Sequence, residues 1–542
     1  MIEKYALQNA IKFNGKCDSK AIIGKVLQEN PNLKNNMKEL MQKINNTVKE
    51  INKLALNQQI KRLKEIAPEL LEERKEERKD LKELPNVKNK VVMRIAPSPS
   101  GPLHIGHVCN YIFNSEYCKR YKGDFIVRID DTNADNIYKP AYKMIEDDSK
   151  WLCNNINKVV CQSDFMGSYY DAIEKLIELN KAYVCECSGD EFREYIKKRK
   201  ACPCRNKKDH TNRFAKMFSE YKPGEAIVRI KKNLRDKNPA MIDFGLARIK
   251  ETIHPKTSKN YRVWPLLNLA VAVCDKELKI THAVRGKDQQ DGVKKERIIC
   301  DYLNWNKPEI IYFGMINFEG MELSKTKIKL AIERNEFDSW EDIRLPFLAA
   351  LRKRGYKAEA LRRFALDLGL TENDKTVDKD EFFKLLNYHQ KQIIEKSFRY
   401  FMVVDPIEIK LDIKKEIELD LHPESKKGGR KLKINKRLFI SKIDFDSLKK
   451  DYVYRFMDLC NFTLDKKIKF HSETYDEYKS LKNKGGILHY LPYDDYKVKV
   501  RFENNLLKDA IIENKLKNGE IFQAERMGFF VYYDKEILFC CR

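Results

Sequence analysis

The stretch that most restricts the fold is Ala96-Pro97-Ser98-Pro99-Ser100-Gly101-Pro102-Leu103-His104-Ile105-Gly106-His107. Its prolines fix φ and lack an N–H, so neither a strand nor a helix can run through it. Before it lies a short apolar run, Val91-Val92-Met93-Arg94-Ile95, and after it a helical pattern extends to about Tyr121. A second apolar run, Phe125-Ile126-Val127-Arg128-Ile129, ends in Asp130-Asp131-Thr132. Strand, helix and strand joined this closely form a βαβ unit, the start of a doubly wound parallel α/β sheet. Ligands of such sheets sit at the carboxyl ends of the strands, where the loop and Asp130 both fall.

The helix after the loop offers free backbone N–H groups near His104, a partial positive charge suited to phosphate. His104 and His107, three residues apart, share one face of that first turn, and both can donate hydrogen bonds to a phosphorus centre gaining charge under attack. Pro97 and Gly101 stiffen and turn the loop, and Gly106, lacking a side chain, lets a flat adenine approach the backbone. A histidine pair at this spacing is by itself more often structural; the loop and its Rossmann-like context turn the reading toward an ATP-type nucleotide site.

Residues 1–87 read as a helical accessory domain, with Leu33, Met37, Leu40, Met41, Ile44 and Val48 recurring at helical steps. Pro68 opens a charged stretch through Lys79 that reads as a solvated helix, with opposite charges three apart at Glu72 and Lys75, Arg74 and Glu77, and Glu76 and Lys79. The catalytic α/β domain then takes residues 88–182 and, after an inserted domain at 183–255, residues 256–330. Residues 331–401 read as helical, with Leu348, Leu351, Leu361, Phe364, Leu366 and Leu370 available for a core. Strands dominate 402–542: Lys497-Val498-Lys499-Val500-Arg501-Phe502 alternates cation and apolar side chain, whereas Lys426-Lys427-Gly428-Gly429-Arg430-Lys431 reads as a mobile basic loop.

Lysine and arginine total 106 against 81 acidic residues, a formal charge of +25. That balance suits a polyanionic partner and a solvated basic surface equally well. Met1-Ile2-Glu3-Lys4 has no apolar signal core, and no run approaches the roughly 20 apolar residues of a membrane span, so a soluble cytoplasmic protein with no membrane partner is expected. The 14 cysteines are scattered, as suits reduced thiols rather than a disulfide framework. One group is the exception: Cys185-x-Cys187 and, 14 residues on, Cys202-Pro203-Cys204. Two close thiol pairs suit structural Zn2+ in tetrahedral geometry; four separately buried thiols are the alternative, and His210 is a further candidate ligand.

The loop through His107 resembles the HIGH signature of class I aminoacyl-tRNA synthetases, in the form carried by glutamyl and glutaminyl members. Glu322-Leu323-Ser324-Lys325-Thr326 is similar to their second signature, KMSKS. The resemblance implies that Ser324 and Lys325, with Lys327, cover the β- and γ-phosphates of ATP and neutralise departing pyrophosphate. It extends through Val127-Arg128-Ile129-Asp130-Asp131-Thr132-Asn133 and Thr281-His282-Ala283-Val284-Arg285-Gly286-Lys287-Asp288. The amino-terminal helices resemble those of archaeal glutamyl-tRNA synthetases, and Gly519-Glu520-Ile521-Phe522-Gln523 with Arg526-Met527-Gly528-Phe529-Phe530 looks like the anticodon-binding β-barrels of the group.

By that resemblance, Arg94 and Arg285 hold the carboxylates of the amino acid, Ser98 lies beside the pocket, and Asp130 pairs the α-ammonium. Glutamate's α-carboxylate would attack the α-phosphorus of ATP, with Mg2+ accompanying the nucleotide, and the adenylate would pass its glutamyl group to the 3′ end of glutamate tRNA. The insertion would meet the acceptor end of the tRNA, residues 331–401 its stem, and the chain is expected to act as a monomer. Two positions depart from the family pattern. Trp264-Pro265-Leu266-Leu267 carries leucine where a tyrosine usually contacts the side chain of the amino acid, and Met315 stands where an arginine usually precedes the second signature. Asn268 compensates, or side-chain selection is looser, or activation is weakened. The alternatives carried forward are a glutaminyl-tRNA synthetase, charging of glutamine tRNA as well, and a weakly catalytic tRNA-binding paralogue.

Overall fold

A computed structural model describes residues 2–12, 15–30, 33, 36–67, 70, 81–424, 426–494 and 496–542. The chain forms two compact units, Met1–Asp80 and Leu81–Arg542. In the first, helices α1 (Ile2–Lys12), α2 (Ser19–Glu29), α3 (Met37–Ile51) and α4 (Leu56–Ile66) surround one core. Ala6, Leu7, Ile22, Val26, Ile44 and Leu63 are buried in it. Leu40, Ile44, Val48 and Ile51 are the buried stripe of α3, as their spacing predicts. Buried Gln59 draws the surrounding turns together, its Nε2 donating to the carbonyls of Gly15 and Ile51, each at 2.9 Å, and of Leu54 at 3.2 Å. Apart from Leu70, the charged stretch from Pro68 to Lys79 lies outside the described residues.

The second unit is built on β1 (Val92–Ile95), β2 (Asp124–Ile129) and β3 (Ile156–Cys161), with helix α5 (Ile105–Arg120) crossing from β1 to β2. An antiparallel sheet follows, β4 (Ala182–Cys185), β5 (Ile227–Ile230), β6 (Gly245–Ile249) and β7 (Val263–Pro265), paired in chain order. The chain then returns to the first sheet with β8 (His282–Gly286) and β9 (Glu309–Phe313). The completed sheet runs β3-β2-β1-β8-β9, and every pairing in it is parallel. The strand order therefore reverses at β1, and the loop leaving β1 opens at the switch point where ligands of such sheets bind.

Beyond residue 330 the helices Leu348–Lys353, Ala358–Leu368 and Lys379–Ile394 pack on α5 through Leu348, Leu361, Phe364 and Phe382. The remainder is strand-rich and barrel-like: a long hairpin, Pro406–His422 with Lys426–Ser441, a four-stranded sheet and a seven-stranded sheet. Val498 and Val500 are buried while Lys497 and Lys499 are exposed, as the alternation requires. The basic run from Lys426 to Lys431 is a correction to the sequence reading, because it begins a strand and is no loop. Arg430 explains the order: its buried guanidinium donates to Glu513 at 2.8 and 2.9 Å, and the Gly428 N–H donates to Asp420 at 2.8 Å. Among the described residues no helix is long and apolar enough to cross a membrane.

The α5–β2 turn fixes where β2 starts. Lys122 takes φ 51°, and the Gly123 N–H returns to the Cys118 carbonyl at 2.8 Å. A β-carbon on Gly123 would fall 2.4 Å from the Val91 carbonyl oxygen, which is backbone that cannot swing aside. Gly123→Ala should therefore lower stability by about 1–3 kcal/mol, seen as a lower denaturant midpoint. Gly167→Ala, where a β-carbon meets nothing within 4 Å, should not.

Candidate active site

The histidine loop is organised by its own first turn. His104 is the N-cap of α5, and its Nδ1 accepts from the Gly106 N–H at 3.1 Å. The His104 N–H in turn donates to His107 Nδ1 at 3.2 Å. With its Nδ1 accepting, neutral His104 carries its proton on Nε2, free to donate to a ligand; His107 Nδ1 lies 3.2 Å from both the N–H and the carbonyl of His104, so either tautomer of that ring is satisfied. The rings lie 3.9 Å apart between centroids. Burial, and then the charge of Lys325, pushes the pKa of His104 down to about 3. Burial with the neighbouring His104 and Lys325 holds His107 well below its ordinary value. Gly106 has a second reason to be glycine, since a β-carbon there would lie 2.9 Å from His104 Cε1.

A later part of the chain braces this loop. The Leu348 N–H donates to the Leu103 carbonyl at 2.9 Å, and the Ile105 N–H to the Pro346 carbonyl at 3.1 Å, so the histidine segment pairs like a strand with residues 346–348. Beneath it Asp148, buried on the helix Ala141–Leu152, accepts from the Leu103 N–H at 3.1 Å. Burial pushes the Asp148 carboxyl up to about 7. Lys325 starts the helix Lys325–Glu333, capped by Ser324. Its Nζ reaches over to the loop, 3.2 Å from the Gly101 carbonyl and 3.4 Å from that of Ser98. A side chain on Gly101 would strike its stem, with the β-carbon 3.2 Å from Lys325 Cδ. Burial pushes the Lys325 ammonium down to about 8. Lys327 does not join it; it is exposed and pairs with Glu322 at 3.0 Å.

At the same edge of the sheet lies a buried network of charge. Arg94 on β1 donates both Nε and Nη2 to Asp275 at 2.9 Å, and Arg128 on β2 adds its Nη1 to Asp275 at 2.8 Å. Arg128 also grips Asp130 through Nε at 2.8 Å and Nη2 at 3.2 Å. Against the opposing effect of burial, Arg94 and Arg128 hold Asp275 below the usual carboxylate range. Burial lifts Asp130 above it in spite of Arg128. The Asp130 N–H donates to the Pro97 carbonyl at 3.0 Å, which ties this network to the histidine loop. Arg285, at the end of β8, is held by Glu296 at 2.6 Å and by Gln289 at 2.8 and 3.2 Å.

The structure thus brings together Pro97, Gly101, His104, Gly106, His107, Ser324 and Lys325, and beside them Arg94, Asp130 and Arg285. Ser98 meets Lys325 through its carbonyl. Asn268 is the second residue of the helix Leu267–Glu277 that carries Asp275, and its Oδ1 would lie 3.5 Å from a β-carbon on Gly292. Leu267 and Met315, the two departures, are exposed. Sequence reasoning missed Asp275, Glu296 and Asp148. Asp275 left one signal: an acid closing Leu269-Ala270-Val271-Ala272-Val273-Cys274, a run that is otherwise apolar and therefore buried.

In the insertion, the four Sγ atoms of Cys185, Cys187, Cys202 and Cys204 lie within 4.8 Å of one another. Cys185 to Cys202 and Cys187 to Cys204 are each 3.8 Å, and the Glu186 N–H points at Cys204 Sγ from 3.3 Å. His210 is not in this group; its Nδ1 accepts from the Val184 N–H at 3.3 Å.

Residues 90–393 match the catalytic domain of class I (E and Q) tRNA synthetases, and residues 397–479 the anti-codon binding domain of the same class. The glutamate--tRNA ligase of Pyrococcus furiosus is 39% identical, over 97% of this chain and 96% of that protein. Those of Methanococcus maripaludis strain C5 and Methanocaldococcus jannaschii are each 37% identical, over 97% and 98% of this chain and 96% of either relative.

Proposed function

This chain belongs to the class I tRNA synthetases of the glutamate and glutamine (E and Q) family, and we propose that it is a glutamate--tRNA ligase, activating glutamate with ATP and transferring it to glutamate tRNA. The observation that carries the reading is the meeting of two imidazoles and Lys325 at one loop, beside an edge lined by Arg94 and Arg285.

In this reading ATP lies along the loop with its adenine over Gly106, and Mg2+ arrives with the phosphates. The imidazoles stay neutral at physiological pH, so His104 and His107 act as hydrogen-bond donors to phosphate oxygens and not as proton sources. Lys325 exchanges its two carbonyl partners for phosphate oxygens and balances the charge of the departing pyrophosphate, with Ser324 fixing the start of its helix. Arg94 and Arg285 receive the carboxylates of glutamate, and Asp130 the α-ammonium. The adenylate then yields its glutamyl group to the terminal ribose hydroxyl of the tRNA. Residues 183–255 would meet the acceptor end, 331–401 the stem and 402–542 the anticodon, with 1–87 an accessory domain.

Cys185, Cys187, Cys202 and Cys204 would hold structural Zn2+. Four thiolates about 2.3 Å from one metal ion stand roughly 3.8 Å apart in a tetrahedron, and this supports the assignment. The ion would brace the insertion and take no part in adenylation.

Charge-assisted bonds from two arginines contribute about 1.5–3 kcal/mol, so kcat/KM in aminoacylation of glutamate tRNA should favour glutamate over glutamine by about tenfold to a hundredfold. Equal or better use of glutamine would reassign the chain to the glutaminyl branch, and no adenylate with either amino acid would mark a tRNA-binding paralogue. Running the same assay with glutamine tRNA tells whether that tRNA is charged too.

Lys325 is charged below its pKa and neutral above it. In the free enzyme kcat/KM for ATP should therefore fall as pH rises through about 8. Lys325→Arg should move that limb to higher pH, and Lys325→Ala should lower adenylation by about a hundredfold. A profile flat to pH 9 would remove Lys325 from the phosphate site. Metal analysis of protein made without chelators should find one zinc per chain, lost when Cys202 and Cys204 are both changed to serine; absence of zinc from the parent protein would reject the site.

A further inference from the structure

Glu296 balances the charge of buried Arg285 with only one of its two carboxylate oxygens. The residue lies on the helix Gln290–Leu303 behind Arg285, and it is 7% exposed. Its Oε2 accepts from Arg285 Nη1 at 2.6 Å, while Oε1 is buried without a hydrogen-bond partner among the described residues. A glutamine would keep the bond to Nη1 through its carbonyl while taking away the charge that faces the buried guanidinium. Oε1 and Asn268 Oδ1 would lie 3.8 and 3.5 Å from a β-carbon on Gly292, and a small cavity of about 20 Å³, lined by Asp275, Val293, Glu296 and Cys300, adjoins Glu296. The hydrogen bond to Nη1 would thus survive in a neutral side chain. What only glutamate supplies is a negative charge on a guanidinium whose Nε and Nη2 are already given to Gln289.

We propose that Glu296 is a specificity-setting residue that competes with the substrate's carboxylate for Arg285, weakening the hold on glutamate and narrowing its preference over glutamine. The inference rests on the reading that Arg285 receives a substrate carboxylate. An anion fixed on one side of a guanidinium lowers the potential felt by a second anion approaching the other, and it repels that anion directly. Glutamine carries no side-chain charge and is little affected. Glu296 therefore acts on glutamate binding through Arg285 without touching the reacting atoms.

The test is steady-state aminoacylation of glutamate tRNA by the full chain, with each amino acid, comparing the parent with Glu296→Gln and Arg285→Leu. Glu296→Gln should lower KM for glutamate by about tenfold, the effect of removing a like charge about 12 Å from the substrate carboxylate at an effective dielectric near 20. The KM for glutamine should stay within about twofold, so the glutamate-to-glutamine ratio of kcat/KM rises by a similar tenfold. A Glu296 that only positioned the guanidinium would not give this result, because glutamine at 296 preserves the bond. If Arg285→Leu abolishes the preference while Glu296→Gln leaves the ratio unchanged or lowers it, the competing role is wrong and the substrate role of Arg285 stands. If the preference survives Arg285→Leu, the reading of Arg285 falls and the role of Glu296 falls with it.

Discussion

Asp275 is one carboxylate serving two guanidiniums on neighbouring parallel strands. Strands in a sheet run about 4.8 Å apart, so Arg94 and Arg128, both withdrawn from water, would repel each other without an anion between them. Removing one partner from a buried ionic group typically costs about 3–5 kcal/mol, more than a surface ion pair contributes. The anion comes from the end of the helix Leu267–Glu277, which is not adjacent in sequence to either strand. The lie of that helix across the sheet edge is thus set by charge as well as by its apolar face, and with it the approach to Arg285 and Asn268.

The rest of the site follows the same logic from the other side. The histidines are kept neutral by burial under a lysine, and the lysine makes its hydrogen bonds to carbonyl oxygens, with Asp148 close enough to act on its charge but not bonded to it. One flank presents donors and a cation that no carboxylate hydrogen-bonds. The other presents arginines already matched to Asp275, Asp130 and Glu296. Polyphosphate suits the first because it supplies charge that is missing, and a zwitterion suits the second because it disturbs the balance little.

Much of this was legible in the sequence, for reasons that differ from one element to the next. The loop from Ala96 to His107 announced itself because proline, glycine and histidine have few other uses between a strand and a helix. Asp130 could be placed because a parallel strand puts its last residues at the ligand edge, and Arg94 and Arg285 through the resemblance to the family's arginines. The cysteine group was visible because its two pairs are each local. Asp275, Glu296 and Asp148 were not visible. Asp275 and Asp148 work through contacts made 181 and 45 residues away, Glu296 through one 11 residues away across a turn, and each sits in a helix whose pattern spoke first of packing. The run from Lys426 to Lys431 misled for a related reason: its glycines suggested a turn, whereas burial of Arg430 against Glu513 is a tertiary event that local composition does not contain.

The order of the central sheet has a consequence for how the protein is made. β1 pairs with β2 as soon as α5 has formed, but its other edge waits for β8, and the Val92 N–H meets Thr281 only after 189 further residues. The antiparallel sheet of the insertion is threaded into that interval. At about 5–20 residues per second, translation leaves the second edge of β1 unpaired for about 10 to 40 seconds. An unpaired apolar strand edge is a template for wrong partners. The nascent chain therefore spends much of its synthesis with its central strand half covered, and a chaperone or the ribosome's own surface has that interval in which to shield it.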